Sequence, residues 1–166
     1  FINSFDITKL NKLDKDICLI WRSKQYQENV KLIAKTANFC KKNNIKFFLS
    51  NNFKLAIKLN LAGVYISSHN KGFKHNNYLL KRNFKIIGGV HNMYELKIKK
   101  QQRIKELFLS PIFKKKQNSP IGLYRSNWLF SSYEGSVIAL GGINTKNVKL
   151  IKLRKFSGFA GIKFFE

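Results

Sequence analysis

The sequence is poor in acidic residues, and this scarcity restricts the chemistry that it can carry. Eight Asp and Glu residues stand against 32 Lys and Arg residues in a chain of 166. The acids are Asp6, Asp14, Asp16, Glu28, Glu95, Glu106, Glu134 and Glu166. None of them directly follows the second to seventh of the apolar runs that we identify below as strands. The sequence therefore argues against hydrolysis by a pair of carboxylates. It also argues against a divalent metal site built from carboxylates, and no metal ligand is predicted.

Other scarcities narrow the class of protein. The two cysteines, Cys18 and Cys40, lie in apolar segments without metal-ligand spacing, so we expect two buried thiols rather than a disulfide or a zinc site. No apolar run approaches the roughly 18 residues of a membrane span, and the start of the chain lacks a signal-peptide pattern. We therefore expect a cytoplasmic protein with no membrane partner. Since no linker divides it, residues 1–166 are predicted to form one domain.

The formal charge of +24 is the strongest bias in composition. A basic excess of this size normally indicates nucleic acid or an anionic surface as a partner. Here the lysines are spread along almost every predicted helix, in a chain that is also rich in Asn, Ile and Phe. We therefore expect contact with nucleic acid to be non-specific, and we look for small anionic ligands instead.

Short apolar runs alternate with segments of helical periodicity along the chain. The runs that predict strands lie at 1–2, 17–21, 45–49, 63–66, 84–88, 106–109, 137–140 and 158–162. Helical periodicity occurs at 26–42, 53–61 and 93–101. This alternation predicts parallel β/α units, and eight strands favour a compact (β/α)8 TIM barrel of the α/β class without its last helix. Because the chain is short for that fold, a doubly wound open sheet is the alternative.

Functional residues of such barrels lie at the carboxyl ends of the strands. Arg22 and Lys24 follow the second run; if they face the interior without acidic partners, they require an anionic ligand. Ser50 and Asn51 follow the third run, and Asn70 lies shortly after the fourth. Hydroxyls, amides and cations of this kind suit a phosphate or diphosphate ester.

Two further strand ends allow alternative interpretations. His91 follows the fifth run and is either an acid/base facing the ligand or a histidine hydrogen-bonded within a polar mouth. Lys115 and Lys116 belong to a basic stretch after the sixth run, which is either a solvated loop or a cover for a diphosphate.

Gly141 and Gly142 end the seventh run and precede a helix-like segment. Glycines let backbone N–H groups approach a ligand closely, and we expect Asn144 or Thr145 to cap the following helix. The alternatives are a phosphate-binding turn and an ordinary strand-to-helix connection. The turn is predicted to lie at the mouth of a barrel, and no carboxylate is expected at that mouth. This position favours a phosphate-binding turn.

Taken in order, these segments resemble the thiamine phosphate synthase family, which includes the related thiazole tautomerases. The strand end from Trp21 to Lys24 is similar to the family's Gln-Leu-Arg-x-Lys. Further similar segments are Phe47 to Asn51 (Phe-Ile-Ile-Asn-Asp), Gly63 to Ile66 (Gly-Val-His-Leu), Gly89 to Asn92 (Ser-x-His), Ser110 to Phe113 (Pro-x-Phe), Ile121 to Leu123 (Leu-Gly), Val137 to Ile143 (Val-x-Ala-x-Gly-Gly-Ile) and Gly158 to Ile162 (the last strand).

The resemblance implies a (β/α)8 barrel and a transferase of thiamine biosynthesis. Family members join hydroxymethylpyrimidine diphosphate to thiazole phosphate, release diphosphate and form thiamine phosphate, with Mg²⁺ holding the departing diphosphate. We predict Arg22, Lys24 and His91 as the catalytic residues. The thiazole phosphate would lie on Gly141, Gly142 and the backbone near Gly161 and Ile162.

The chain departs from the family pattern on the metal side. The two Mg²⁺-binding aspartates fall on Asn51 and Asn70, the asparagine beside the first falls on Ser50, and the serine before the family histidine falls on Gly89. The family's Thr-x-Thr-Lys diphosphate loop falls on residues 115–118. Either lysines replace the charge of the metal, or the synthase reaction is lost and a ligand pocket remains.

Three alternatives to the synthase follow. One is a thiazole tautomerase with His91 as proton carrier. The second is a non-catalytic binder of thiamine-related phosphates. The third is a basic protein that meets RNA by charge alone, with an affinity that falls steeply with salt.

Overall fold

The short apolar runs form a parallel sheet. The computed structural model describes residues 1–11, 17–22, 29–114, 119–152 and 154–161. Within them, seven strands pair in parallel in the order of the sequence. They are β1 (Leu19–Trp21), β2 (Phe47–Ser50), β3 (Gly63–Ile66), β4 (Lys85–Val90), β5 (Glu106–Leu109), β6 (Ser136–Leu140) and β7 (Gly158–Ala160). Their uninterrupted apolar character is typical of strands that are covered on both faces.

Helices connect the strands, as parallel pairing requires. The helices of the described residues are α1 (Ile7–Leu10), α2 (Val30–Lys42), α3 (Phe53–Lys58), α4 (Met93–Gln101), α5 (Leu123–Leu129) and α6 (Val148–Lys152), with a 3₁₀ turn at Lys74–Asn77. Asparagines begin three of them, because the side-chain oxygens of Asn29, Asn52 and Asn92 accept hydrogen bonds at 3.1, 3.0 and 2.9 Å from the N–H three residues on. Such caps satisfy N–H groups that have no partner within the helix.

The sheet curls strongly. Ile2 pairs in parallel with Trp21, which places the start of the chain beside β1. In a flat sheet, this position and β5 would lie about 24 Å apart at the usual strand spacing. Instead, the Phe1 ring lies 5.7 Å from the Phe108 ring on β5 and 5.4 Å from the Tyr65 ring on β3. The first strand position therefore packs across the concave face of the sheet.

Side chains that alternate along each strand build two apolar layers. On β1, Ile20 points to the concave face while Leu19 and Trp21 pack toward the helices. All seven strands contribute to the inner layer, which consists of Ile20, Phe48, Tyr65, Ile87 and Phe108, with Phe1, Ala62, Ile138, Leu140 and Ala160 against it. The interior is thus filled by side chains, as in small parallel barrels.

The structure confirms the parallel α/β fold, and all eight predicted strand positions are paired. The pairing of Phe1–Ile2 is a single bridge rather than a strand. A doubly wound sheet is excluded, because neighbouring strands follow the sequence order throughout. Closure into a complete barrel is not shown, because no pairing joins β7 to the Ile2 segment within the described residues.

One local prediction is wrong. Cys18 is exposed just before β1, although Cys40 is buried and both thiols are free. The side chain of Asn144, which was expected to cap the next helix, accepts hydrogen bonds from the N–H groups of Lys146 and Asn147 in the turn that leads to α6 at Val148. In the described part of the chain, no helix has the length and apolarity to cross a membrane.

Removing the Phe108 ring should test the inner layer. Phe108 is buried and meets both Phe1 and Tyr65, so Phe108→Ala should lower the free energy of unfolding by about 3–5 kcal/mol. Leu79→Ala, at a fully exposed leucine, should change it by less than about 0.5 kcal/mol. Urea denaturation of both variants measures the difference. Equal small losses would contradict a packed interior.

Candidate functional site

Polar residues collect at one end of the curled sheet. Because the strands are parallel, their carboxyl ends share one edge, as expected for the site of such folds. The predicted residues that the structure places there are Arg22, Ser50, Asn51, Asn70, His91, Gly141, Gly142 and Gly161. Lys24, Lys115, Lys116 and Ile162 lie outside the described residues. The structure therefore places the described positions at one edge of the sheet, where Asn51 and Asn70 are in direct contact.

Asn51 and Asn70 are joined by a direct hydrogen bond. Nδ2 of Asn70 donates to Oδ1 of Asn51 at 3.2 Å, and the same oxygen accepts the backbone N–H of Ser67 at 3.0 Å. Nδ2 of Asn51 donates to the hydroxyls of Ser50 and Ser67 at 3.3 and 3.2 Å. Asn51 has φ +60°, a conformation that Asn and Asp tolerate better than most residues. The ends of β2 and β3 are thus linked by side-chain amides.

The two amides do not suit the Mg²⁺ that the family resemblance implies. Oδ1 of Asn51 already accepts two hydrogen bonds, and Oδ1 of Asn70 accepts one from the N–H of Gly72 at 3.0 Å. Mg²⁺ is usually bound through carboxylates, in strict octahedral geometry. Among the residues that the structure describes, no group of three His, Cys, Asp or Glu side chains could hold a metal ion. The residues present therefore do not fit the metal.

A buried lysine holds the segment that carries Asn70. Lys99 on α4 is fully buried, and its Nζ donates to the carbonyls of Ser67 and Asn70 and to Oε1 of Gln102 at 2.9, 2.8 and 2.9 Å. Nε2 of Gln102 donates in turn to the carbonyls of Asn70 and Gly72. A buried ammonium group is tolerated only where acceptors surround it in this way. Neither residue was predicted from the sequence, because both belong to α4 and its C-terminal end rather than to a strand end.

His91 lies beside Glu95, an acid on helix α4 that was not predicted to belong to the site. The N–H of His91 donates to Oε2 of Glu95 at 2.6 Å, and its Nδ1 lies 2.9 Å from the same oxygen. Glu95 stands in the first turn of α4, whose N-cap is Asn92. The expectation that no acid reaches the site is therefore wrong. The spacing Asn-x-x-Glu, a helix-capping pattern, was the signal that could have located this carboxylate.

The buried side chain of Tyr65 lies near Arg22 and Glu95. Burial raises the pKa of its phenol; the nearby charge of Arg22 lowers that pKa, and the charge of Glu95 raises it. Arg22 and Glu95 therefore both lie within electrostatic reach of one buried hydroxyl. A Cβ atom on Gly89 would lie 2.3 Å from the Tyr65 hydroxyl oxygen. The Tyr65 side chain thus fills the space that a serine at position 89 would need.

The turn at Gly141 and Gly142 needs glycine for two reasons. Both residues have positive φ, +93° and +69°. A Cβ on Gly141 would lie 3.0 Å from Pro111, and one on Gly142 would lie 2.7 Å from the carbonyl oxygen of Phe113. The turn therefore packs against the segment after β5. In the described part of the chain, the N–H groups of Gly142 and Ile143 have no protein acceptor, so they remain available to a ligand.

A cavity that the sequence analysis did not predict adjoins the amide pair. It has a volume of about 430 Å³, and its lining includes Asn51, Asn70, Phe53, His75 and Tyr78. The Phe53 ring is stacked between the rings of Tyr78 and His75, with centroids 5.6 Å away in each case. Two exposed lysines, at positions 54 and 74, also line the cavity, which therefore combines aromatic surface with positive charge.

Together, the curled parallel sheet and its edge of polar strand ends define a protein of the α/β class. A family model described as thiamine monophosphate synthase matches residues 15–165. The chain belongs to this family. It is 29% identical over 138 residues to a thiamine-phosphate synthase of Helicobacter pylori strain J99, with 80% of this chain and 63% of that protein covered. The chain thus spans less than two thirds of the length of that relative.

Solved structures agree on the fold. A thiamine phosphate pyrophosphorylase from Pyrococcus furiosus matches 95% of this chain and 78% of its own, with a TM-score of 0.74 at 14% identity. A thiamine phosphate pyrophosphorylase from Bacteroides thetaiotaomicron matches 94% and 73%, with a TM-score of 0.56 at 18% identity. A 3-keto-L-gulonate-6-phosphate decarboxylase from Vibrio cholerae has a TM-score of 0.57 at 14% identity and matches 81% and 70%. At these identities the likeness concerns the fold alone.

The buried lysine should make stability depend on pH. Burial lowers the pKa of Lys99 from 10.5 to about 8, although the charge of Glu95 raises it in part. Between these two values the unfolded chain holds a proton that the folded chain has released, so the free energy of unfolding should rise with pH. Lys99→Met should lack this rise. Urea denaturation of both proteins from pH 8 to 10 gives the comparison, and parallel curves would contradict the assignment.

Proposed function

We propose that this chain joins hydroxymethylpyrimidine diphosphate to thiazole phosphate, with release of diphosphate, as a transferase of thiamine biosynthesis. The observation that carries the proposal is the family match over residues 15–165, a range that takes in the strand ends of the site. The bond between the pyrimidine methylene carbon and the diphosphate oxygen breaks, and the thiazole nitrogen bonds to that carbon. Catalysis of this kind rests on charge neutralisation and positioning.

The proposal gives the chain's own groups distinct roles. Arg22 and Lys24 face the departing diphosphate, and Lys115 and Lys116 add positive charge from the segment after β5. The thiazole phosphate lies on Gly141 and Gly142, where the N–H groups of Gly142 and Ile143 are available, with Gly161 after the neighbouring strand β7 and Ile162 next in the sequence. Ser50, Asn51 and Asn70 supply hydroxyl and amide groups to the pyrimidine side. No step is assigned to a metal ion.

The proposal includes a closed eight-stranded barrel. Ile2 pairs with β1 on the side away from β2, so the start of the chain occupies a first strand position. Phe1 packs against rings of β3 and β5 from within the curl. Closure brings this segment beside β7 and completes the ring of strand ends around the ligand.

A thiazole tautomerase is the second candidate, and the His91–Glu95 pair favours it. A proton must leave one ring position and return at another, which requires a base that can also act as an acid. His91 is exposed at the end of β4, and its Nδ1 is held 2.9 Å from the carboxylate of Glu95. This contact orients the ring and leaves Nε2 to exchange protons with the ligand.

Removal of the Arg22 guanidinium should test the transferase. The purified protein is incubated with both substrates, with and without MgCl2, and thiamine phosphate is measured by chromatography. Arg22→Ala should lower kcat about 10²–10³-fold, because it removes a cation aimed at developing negative charge. Arg82→Ala, at an exposed arginine in the turn before β4, is the matched control and should leave kcat unchanged. Absence of product under both conditions contradicts the proposal.

Substitution of the histidine pair should test the tautomerase. Thiazole phosphate isomers are supplied without any pyrimidine diphosphate, and their interconversion is followed by NMR. His91→Asn should abolish the exchange, whereas Glu95→Gln should slow it and move its pH optimum. Glu106→Gln, at an acid that pairs with Lys85 where β4 and β5 begin, should do neither. A rate unaffected by His91→Asn would rule out the tautomerase.

A further inference from the structure

We infer that the hydrogen bond between Asn51 and Asn70 replaces a divalent cation at the ends of β2 and β3, so that this protein handles its anionic ligand without a metal there. The inference rests on the proposed function only in treating these strand ends as part of the ligand site.

The orientation of both amides is fixed by backbone donors. The N–H of Ser67 lies 3.0 Å from one terminal atom of the Asn51 amide, which must therefore be its oxygen. The N–H of Gly72 fixes the oxygen of Asn70 in the same way, at 3.0 Å. The atom that Asn70 presents to Oδ1 of Asn51 is therefore its NH₂ group. A donor faces an acceptor, and no bridging cation is needed.

Two carboxylates in the same places would behave differently. Two oxygens would face each other at a separation near 3.2 Å, and each would carry negative charge. Such a pair is stable only if it shares a proton or binds a cation. The Nδ2–H of Asn70 thus makes directly the link for which a pair of aspartates would require a shared proton or a cation.

The surroundings also disfavour a cation. The ammonium group of Lys99 bonds to the carbonyls of Ser67 and Asn70, directly behind the pair. The carboxylate of Glu95, at the neighbouring strand end, is bound by the N–H of His91. The positive charge of Lys99 lies behind the amides, and neither Asn51 nor Asn70 carries a carboxylate. Both features oppose binding of Mg²⁺.

Thermal unfolding of the ligand-free protein tests the inference without reference to catalysis. The wild type and the double variant Asn51→Asp/Asn70→Asp are compared in EDTA and in millimolar MgCl2. The wild type should unfold at the same Tm in both. The double variant should lose several degrees in EDTA through repulsion of its carboxylates and should regain them in MgCl2. Asn38→Asp/Asn83→Asp, which makes the same charge change at exposed sites, should respond to Mg²⁺ no more than the wild type.

Other outcomes would overturn the inference. If Mg²⁺ stabilises the wild type and Asn51→Ala removes that effect, the amides themselves bind the metal. If Mg²⁺ leaves the double variant unchanged, the pair does not stand at a cation site. Should the double variant not fold, Asn70→Asp alone is measured, and its Tm should fall in EDTA and recover in MgCl2. Failure of the synthase assay would leave all these results in place, so the two proposals can fail separately.

Discussion

The contact of aromatic rings across the concave face of the sheet is the constraint on which the rest of the molecule depends. Phe1 meets Tyr65 and Phe108 because the sheet curls until widely separated strands face one another. Because all seven strands are parallel, the same curl draws their carboxyl ends closer together than in a flat sheet. The shared ligand site that we propose for Arg22 and the Gly141 turn depends on this curl.

Neutral donors and acceptors dominate the half of the site formed by β2 and β3. Asn51, Asn70 and Ser67 satisfy one another, and Lys99 holds their backbone from the helix side. A polar network of this kind is rigid because each member depends on the others. The other half, at the end of β6, is a glycine turn that leaves backbone N–H groups open. The two halves thus differ in kind, one built from side chains and one from backbone.

Much of the fold could be predicted from the sequence, because short apolar runs and helical periodicity are local signals. The strand ends with Asn51, Asn70 and His91 followed from that pattern. Contacts that depend on three-dimensional packing did not. Lys99 donates a hydrogen bond to the carbonyl of Asn70, and Phe53 stacks on the rings of His75 and Tyr78. No periodicity encodes these contacts, whereas the contact of Glu95 with His91 is local and follows the capping pattern of α4.

The close approach of Tyr65 to position 89 restricts the residues that this position can hold. The Tyr65 ring is held by Phe1 and Phe108, so it cannot easily move away from a side chain that appears at Gly89. A serine at position 89 would therefore be tolerated only together with a smaller residue at position 65. The effect of a substitution at either position depends on the residue at the other, so the two positions are epistatic.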